Sequence, residues 1–585
     1  MLGWGFLVKL AIRQLMFSGS GVDRKMMIMV NRKRWIYPFL FAVVVLGYGG
    51  MLGNDFTYDD RGLILEDQRI INRDWAAIWT QSYWGGIGDG LYRPLVSSSM
   101  ALNWLISGNQ PWGYHLANLF LHGLAASMFF YLVSRGFGNG VGLISALVFA
   151  LGPGPSEAVF SIVGRAELMA CCWGLAALLC ISMTGENKIS MGWLAGSFIC
   201  LLAAIFSKEN GVAFALGICL VDLIRKRRVG WGCGVAVVAV GVGGLCKWWA
   251  IGAFSPEAIG YLDNPLAYER AELRLVHGFG LLVRGWVKII VPWPLVADYS
   301  PQHIPLFTHW SEPEIIWPIL LVATLGGCVF RLAKKNSECV LWIGISGGAI
   351  LIVSNIFIAT GTIFAERLLY IPSMGMSLLW GWGLGKLKVG AIKWILGGWL
   401  VIAFSILWGR ASEWRDDMAL FTSVVEDHPL SARGHFGMGL VLQRQGDLRG
   451  ALGAYEQAIA LYPRYLEAHL NRGAALVALK RLDDARAAYR RILAMRPNQF
   501  KARYALGLLD LENGYAAKAD STLQQLHKER PGHLDILRTL AIIAWQQGDG
   551  SSARQWLRKG LALRPDDAQL QRLEQEITES STRSP

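Results

Sequence analysis

Apolar residues form long blocks over the first 410 positions and short periodic groups after them. Before Arg410, apolar runs of roughly 15–22 residues recur between short polar or basic interruptions. At 1.5 Å per residue, such runs have the length needed to cross a hydrocarbon core of about 30 Å. The pattern predicts spans near 35–53, 113–134, 140–152, 164–183, 191–206, 210–224, 231–251, 314–331, 339–359, 367–385 and 391–409. Two further stretches, 95–106 and 273–295, are interrupted. The second holds Arg284, Lys288, Pro292 and Pro294. Both read as interfacial or re-entrant segments, because irregular backbone and charge at membrane depth need protein or water around them. From Ala411 onward no run of that length occurs.

The second half has a different period. Proline stands at Pro429, Pro463, Pro497, Pro531 and Pro565, each 34 residues after the last. Gly439, Gly473 and Gly507 keep the same phase, with Ala541 in the fourth place. Ala451, Ala485, Ala519 and Ala553 do too, each followed four positions later by Tyr455, Tyr489, Leu523 or Leu557. A small residue on one helix lets the next approach, a large partner fills the gap, and proline ends the pair. This is the tetratricopeptide repeat signature. It predicts four repeats over 432–465, 466–499, 500–533 and 534–567, with a capping helix and tail over 568–585. Residues 411–431, with Trp414 and Phe421, read as a connecting half-repeat. Such solenoids offer a concave face to peptides or proteins, so a protein or peptide acceptor held by the repeats is expected.

Composition sharpens the division. The chain of 585 residues is 53% hydrophobic and 17% charged, with a mean hydropathy of +0.35. Soluble domains carry about 25% charge, so most of the chain is neither a soluble enzyme nor disordered. Residues 410–585 hold 25 basic and 21 acidic side chains, and the rest holds 31 and 22. The net charge of +13 does not mark a nucleic-acid binder, because the basic residues of the first half lie in short clusters between apolar runs. Arg24, Lys25, Arg32, Lys33 and Arg34 precede the first span, and Arg225, Lys226, Arg227 and Arg228 follow the sixth. Arg331, Lys334 and Lys335 follow the eighth, and Lys386, Lys388 and Lys393 precede the eleventh. Eleven crossings put all four clusters on one side with Arg135 and Lys188, and positive charge marks that side as cytoplasmic. The domain reading is then a cytoplasmic stub over 1–34 and a membrane domain over 35–410. Its long loops 54–112 and 252–313 and the repeats lie outside the cytoplasm. Residues 1–25 show no small-x-small cleavage site, so no cleavable signal is expected. Nine cysteines show no metal or framework spacing. No Asn-x-Ser/Thr sequon occurs, which favours a bacterial inner-membrane protein.

Candidate chemistry gathers on the predicted outer face. The first loop carries Asp59, Asp60 and Arg61. Paired carboxylates beside a span are candidates for a general base, and equally for capping the following helix. Arg93 lies in Tyr-Arg-Pro-Leu. His115, Asn118 and His122 fall on one face of an apolar helix, which is costly unless they meet a polar cavity or bond another helix. Glu157 follows Pro155-Ser156, and Arg165 and Glu167 lie in Gly-Arg-Ala-Glu. Lys208 and Glu209 sit between two spans, and Glu366, Arg367 and Tyr370 precede Pro372-Ser373. Arg93, Arg165, Lys208 and Arg367 are suited to grip a phosphate through charge-assisted hydrogen bonds. Singly, each also fits an interfacial anchor. A divalent metal on the histidine helix stays open, although no carboxylate stands at ligand spacing there, and no metal site is assigned.

In order, these segments resemble the transmembrane and tetratricopeptide repeat-containing protein O-mannosyltransferases. They are the Asp59-Asp60 loop, Tyr92-Arg93-Pro94-Leu95, the His115–His122 stripe, Ser156-Glu157-Ala-Val with Gly164-Arg165-Ala-Glu167, Lys208-Glu209-x-Gly211, Asp263-Asn-Pro-Leu-Ala267, and Ala365-Glu-Arg-x-Leu-Tyr-Ile-Pro-Ser373. The resemblance runs from about residue 54 to 567. It implies an all-α fold, a polytopic GT-C type bundle of about 11 spans followed by a tetratricopeptide solenoid. It also implies an inverting glycosyltransferase that uses a polyprenyl-phosphate mannose donor outside the cytoplasmic membrane. The base of the GT-C class falls on Asp59 or Asp60, with Asp59 preferred, and the donor lipid would lie near His115, His122 and Arg367. Relatives carry His-Pro-x-His where this chain reads Gly152-Pro-Gly-Pro-Ser156, so no role of those histidines is transferred. Two other readings remain beside it: a lipid or glycan acceptor, and a non-enzymatic assembly scaffold using the repeats. A transporter would need internal symmetry and midplane charges, and the sequence shows neither.

Overall fold

A computed structural model describes residues 35–85, 90–184, 190–225, 230–252, 259–299 and 336–583, with isolated residues between 300 and 335. Among the described residues every regular element is helical. The chain divides into two compact units, one up to Ser423 and one from Val424.

The first unit contains α1 (Ile36–Tyr48, continued by a 3-10 turn to Gly53), α2 (Pro94–Ser107), α3 (Trp112–Phe137), α4 (Asn139–Leu151), α5 (Arg165–Met183) and α6 (Met191–Ser207). After these come α7 (Ala213–Ile224), α8 (Trp231–Ile251), α9 (Ala271–Ile290), α10 (Glu338–Ile352), α11 (Ser373–Leu384) and α12 (Val389–Glu413). Pro94 opens α2, where its fixed φ is already helical. Gly138, at φ 84°, reverses the chain between α3 and α4 without a Cβ clash. Small residues let helices cross closely: a Cβ on Gly174 of α5 would lie 2.1 Å from the Phe214 ring of α7. At the centre, the Phe129 ring packs 5.3 Å from Phe149 and 4.9 Å from Trp342.

Among the described residues, five helical stretches are long and apolar enough to cross a membrane: Ile36–Gly53, Trp112–Phe137, Arg165–Met183, Trp231–Ile251 and Val389–Glu413. The apolar runs predict eleven, and length explains the difference. Asn139–Leu151, Met191–Ser207 and Glu338–Ile352 are apolar but of 13, 17 and 15 residues. Ala213–Ile224 and Ser373–Leu384 have 12 residues each, about 18 Å of helix. The span expected at 314–331 lies mostly outside the described residues. The two interrupted stretches are helical. In α9, a Cβ on Gly278 would meet Ile356 and Ser354, and one on Gly285 would meet Ile350 and Leu369. Exposed Trp75, Trp79, Trp248 and Trp249 are of the residue type that anchors at the membrane–water boundary.

The second unit is a run of helix pairs: Ala432–Arg444 with Leu448–Leu461, Leu466–Ala478 with Leu482–Met495, Phe500–Glu512 with Ala516–Glu529, and Leu534–Gln546 with Gly550–Leu563. A last helix, Ala568–Arg583, follows. The periodic residues meet as their sizes require. A Cβ on Gly439 would lie 2.5 Å from the Tyr455 ring, and one on Gly473 would lie 2.6 Å from Tyr489. Ala451, Ala485, Ala519 and Ala553 are fully buried. The turn within each pair needs a left-handed residue, supplied by Gly446, Gly514 and Gly548 and, in the second pair, by Lys480 at φ 60°. His435 and His469 cap the repeat-ending prolines, bonding the carbonyls of Pro429 and Pro463 at 2.9 and 3.0 Å.

Candidate functional site

The two adjacent aspartates of the first loop have different surroundings. Asp60 is fully buried. One carboxylate oxygen accepts the Thr57 N–H at 3.1 Å, and the other accepts the Val163 N–H at 2.9 Å. It therefore ties the loop to the turn before α5. Burial pushes its pKa up to about 7, against the pull of the Val163 and Thr57 hydrogen bonds. A carboxyl whose folded pKa is raised binds more protons in the folded state. Its stabilising contribution is full below the unfolded value near 4 and is lost as pH rises through about 7. Thermal unfolding of the detergent-solubilised chain is therefore expected to fall as pH rises from 6 to 8, with a flatter slope in Asp60→Asn. An identical slope in that variant would remove Asp60 as its source.

Asp59 points elsewhere. It is partly exposed, with its carboxylate 3.6 Å from the Arg367 guanidinium. Arg367 is held in turn by Glu157, which accepts the Arg367 backbone N–H at 2.9 Å and its Nη1 at 3.0 Å. Arg93 donates to one oxygen of Glu209 at 2.7 and 3.2 Å and lies 5.1 Å over the Tyr83 ring. Burial would push Glu209 up, but the charge and hydrogen bonds of Arg93 hold it down at about 2. Lys208 pairs with Glu167 at 2.6 Å, and Asn210 donates to the other Glu167 oxygen at 2.7 Å.

These pairs form one cluster. The charge of Glu167 acts on Arg367, those of Arg93 and Arg367 act on Lys208, and those of Arg93, Asp59 and Arg367 act on Tyr83. The cluster has two rows. Asp59 (24% exposed), Arg367 (22%), Arg93 (14%) and Glu209 (36%) reach solvent. Glu157 (2%), Glu167 (0%) and Lys208 (8%) stand behind them. Three cations face four carboxylates, and every cation already has an acidic partner. An incoming phosphate must therefore compete with Glu209 or Glu157 for its arginine. Among the described residues no group of three or more His, Cys, Asp or Glu side chains is placed to hold a metal ion.

Other residues singled out from sequence lie in packed interior. Arg165 is fully buried, and its guanidinium is spent on Asn118 Oδ1 at 3.0 Å, Asn103 Oδ1 at 2.9 Å and the Tyr114 carbonyl at 2.9 Å. It is not presented to a phosphate. Asn118 donates to the Ser161 carbonyl at 3.0 Å, so the pair fixes the turn that also holds Asp60. His122 accepts from the Tyr370 hydroxyl at 2.7 Å and bonds the Ala150 carbonyl at 2.8 Å. It packs among Tyr48, Phe149 and Tyr370. The cost of burying His122 is thus offset by hydrogen bonds within the bundle. His115 is buried beside the backbone of Asn54 and Asp55, with no hydrogen bond of normal geometry at either ring nitrogen.

Arg61 and Glu366 reach partners that sequence reasoning missed. Arg61 pairs with Asp417 at 2.8 Å and Asp55 at 3.1 Å. Glu366, fully buried, takes Arg410 at 2.7 Å, the Tyr299 hydroxyl at 2.7 Å and the Val296 N–H at 2.6 Å. Burial raises the Glu366 pKa to about 7, with Arg410 opposing. Asn54 donates to the carbonyls of Ala411 and Trp414 at 3.0 and 2.9 Å. No local pattern marks these pairs: Asp417 lies 356 residues from Arg61, and Arg410 lies 44 from Glu366.

The tetratricopeptide repeat family matches residues 436–500 and 510–577. Beyond the repeats, the chain is 26% identical over 496 residues to protein O-mannosyl-transferase TMTC4 of Mus musculus, covering 72% of this chain and 66% of that one. It is 28% identical over 514 residues to protein O-mannosyl-transferase tmtc2 of Xenopus laevis, covering 72% and 61%. The chain is a homologue of the TMTC protein O-mannosyl-transferases. It spans just under two thirds of the length of these relatives. Since 72% of the chain is covered, the match extends beyond the second unit into the apolar first unit, where the charged cluster lies. Among solved structures, a thermophilic tetratricopeptide protein of Thermus thermophilus is 18% identical with a TM-score of 0.26, covering 32% of this chain and 95% of that one.

Proposed function

We propose that this chain is an integral-membrane protein O-mannosyltransferase. It moves mannose from a polyprenyl-phosphate donor to Ser or Thr hydroxyls on the extracytoplasmic side. The observation that carries this reading is the row of Asp59, Arg367, Arg93 and Glu209 at the accessible edge of a charged cluster whose other members are buried. The homologues are named protein O-mannosyl-transferases, which supports the reaction type.

In this reading the Asp59 carboxylate takes the proton of the acceptor hydroxyl as its oxygen bonds to the sugar C1. The bond from C1 to the phosphate oxygen breaks, and the polyprenyl phosphate leaves with the electron pair. Arg93 and Arg367 stabilise the charge that develops on that oxygen. A single displacement inverts the anomeric centre. Glu157 and Glu167 hold the cations in place, and Arg165 with Asn118 fixes the turn beneath them. His122 and Tyr370 are packing residues here.

The orientation is supported by the ends of the bundle. Asn54, just past α1, bonds Ala411 and Trp414 at the end of α12. Two spans that finish at one level run in the same direction, which requires an odd number of crossings, as eleven is. In this reading the face that carries the basic clusters is cytoplasmic, and the membrane is a bacterial inner membrane. The repeats would hold the protein acceptor.

The test is purified full-length chain with polyprenyl-phosphate mannose and candidate extracytoplasmic proteins, read by intact mass. One hexose increment on the protein is expected. Label appearing only on lipid or glycan would redirect the acceptor assignment. No increment with any sugar donor would favour a scaffold.

A further inference from the structure

The segment joining the last membrane helix to the repeats reads from sequence as a connector. The structure gives it a second relationship, with the loop that carries Asp59. Asp417 accepts the Tyr58 N–H at 2.8 Å on one oxygen and the Arg61 Nε at 2.8 Å on the other. Asp417 itself is buried. The Asp55 N–H donates to the Arg415 carbonyl at 2.8 Å, and the Tyr58 ring meets Phe421 edge-on at 5.9 Å. The loop is thus gripped at residues 54, 55, 58 and 61, on both sides of Asp59.

The backbone between those grips is strained. Tyr58 has φ 52°, in the left-handed region that non-glycine residues enter at a cost. Such strain persists only where surrounding contacts enforce it. Here they are the Asp417 carboxylate on the Tyr58 N–H and Asp60 on the Thr57 N–H. The left-handed residue immediately precedes Asp59, so its dihedrals set where the Asp59 side chain leaves the loop. With them held, Asp59 faces Arg367 while Asp60, one residue later, is buried beneath.

We infer that Asp417 is a positioning residue, clamping Tyr58 and Arg61 so that the Asp59 carboxylate is aimed at the acceptor hydroxyl beside Arg367. This rests on the transferase reading above, with Asp59 as base. The connector thereby belongs to the site's machinery.

The experiment uses full-length chain and an acceptor protein that the wild type mannosylates. Asp417→Ala is expected to lower kcat on the order of 10- to 100-fold, as a misplaced reacting group does, with the donor KM changed by less than about twofold. Asp417→Asn keeps an acceptor for the Tyr58 N–H and recovers part of the loss. In the Asp59→Asn background, Asp417→Ala is expected to add less than about twofold, because residues acting through one group are not additive. Hydrogen exchange of the amides over 56–61, read independently of transfer, rises in Asp417→Ala. An unchanged kcat, an equal loss in the Asp59→Asn background, or unchanged exchange over 56–61 would each overturn the clamp. Absence of transfer by the wild type would count against the transferase reading instead, and the exchange measurement would still decide the clamp.

Discussion

Asp59→Asn is expected to lower mannosyl transfer by roughly 10²- to 10⁴-fold, the range for loss of a general base, while the chain still inserts and folds. The substitution keeps the shape of the side chain and removes its capacity to take a proton. Asp59 sits at the accessible edge of the cluster, 3.6 Å from Arg367, so little packing depends on its charge. Asp60→Asn is expected to differ in kind. Its two oxygens hold the Thr57 and Val163 N–H groups, and an amide can accept on only one side, so one buried donor loses its partner. That costs about 1–3 kcal/mol of stability and disturbs transfer only through the loop. Intact-mass transfer assays, set beside thermal unfolding of each variant, separate the two outcomes. A hexose increment that persists at wild-type rate in Asp59→Asn would sink the base assignment.

Arg410→Met is expected to be the most damaging single change to stability. Arg410 is nearly fully buried, and its guanidinium bridges Glu366 at 2.7 Å and Glu413 at 2.8 Å. Methionine fills much of the volume and leaves buried Glu366 without its ion-pair partner. Breaking a buried pair in this way costs about 3–5 kcal/mol, far more than any exposed pair contributes. The loss has a pH signature. Burial already raises Glu366 to about 7, and removing Arg410 takes away a charge that opposed the rise. In the variant the carboxyl therefore takes up its proton above pH 7, and stability lost relative to wild type should be recovered as pH falls from alkaline values to 7. Adding Glu366→Gln to Arg410→Met should restore part of the stability at pH 8, because glutamine still accepts from Tyr299 or Val296. Equal melting of wild type and Arg410→Met at pH 8 would contradict this account.

Much of the architecture was legible because its causes are local. A run of apolar residues is visible without knowing its neighbours, and a 34-residue period reports which small residue meets which large one. Gly439 under Tyr455 and Gly473 under Tyr489 follow from that phase alone. Individual crossings were less legible, since a short helix buried among others, such as Ala213–Ile224, need not match the hydrocarbon thickness. Within the site, pairing was less legible still. Arg93, Lys208 and Arg367 are interchangeable with Arg165 as sequence, yet Arg165 is walled in by Asn103, Asn118 and Tyr114. The His115–His122 stripe fits a polar cavity and helix–helix bonding equally as sequence, and for His122 the Tyr370 hydroxyl and the Ala150 carbonyl supply the bonding.

Residue order alone shows that apolar helices precede a tetratricopeptide array, and that ionisable residues gather in the segments between helices. Hydrophobic periodicity and proline spacing act within a turn or two of chain. Only the tertiary structure decided which of two neighbouring aspartates is presented and which is buried. The direction of a side chain in a strained turn depends on partners that grip the backbone around it. Here those are the Val163 N–H, 103 residues from Asp60, and the Asp417 carboxylate, 359 residues from Tyr58. No pattern near residue 59 records them.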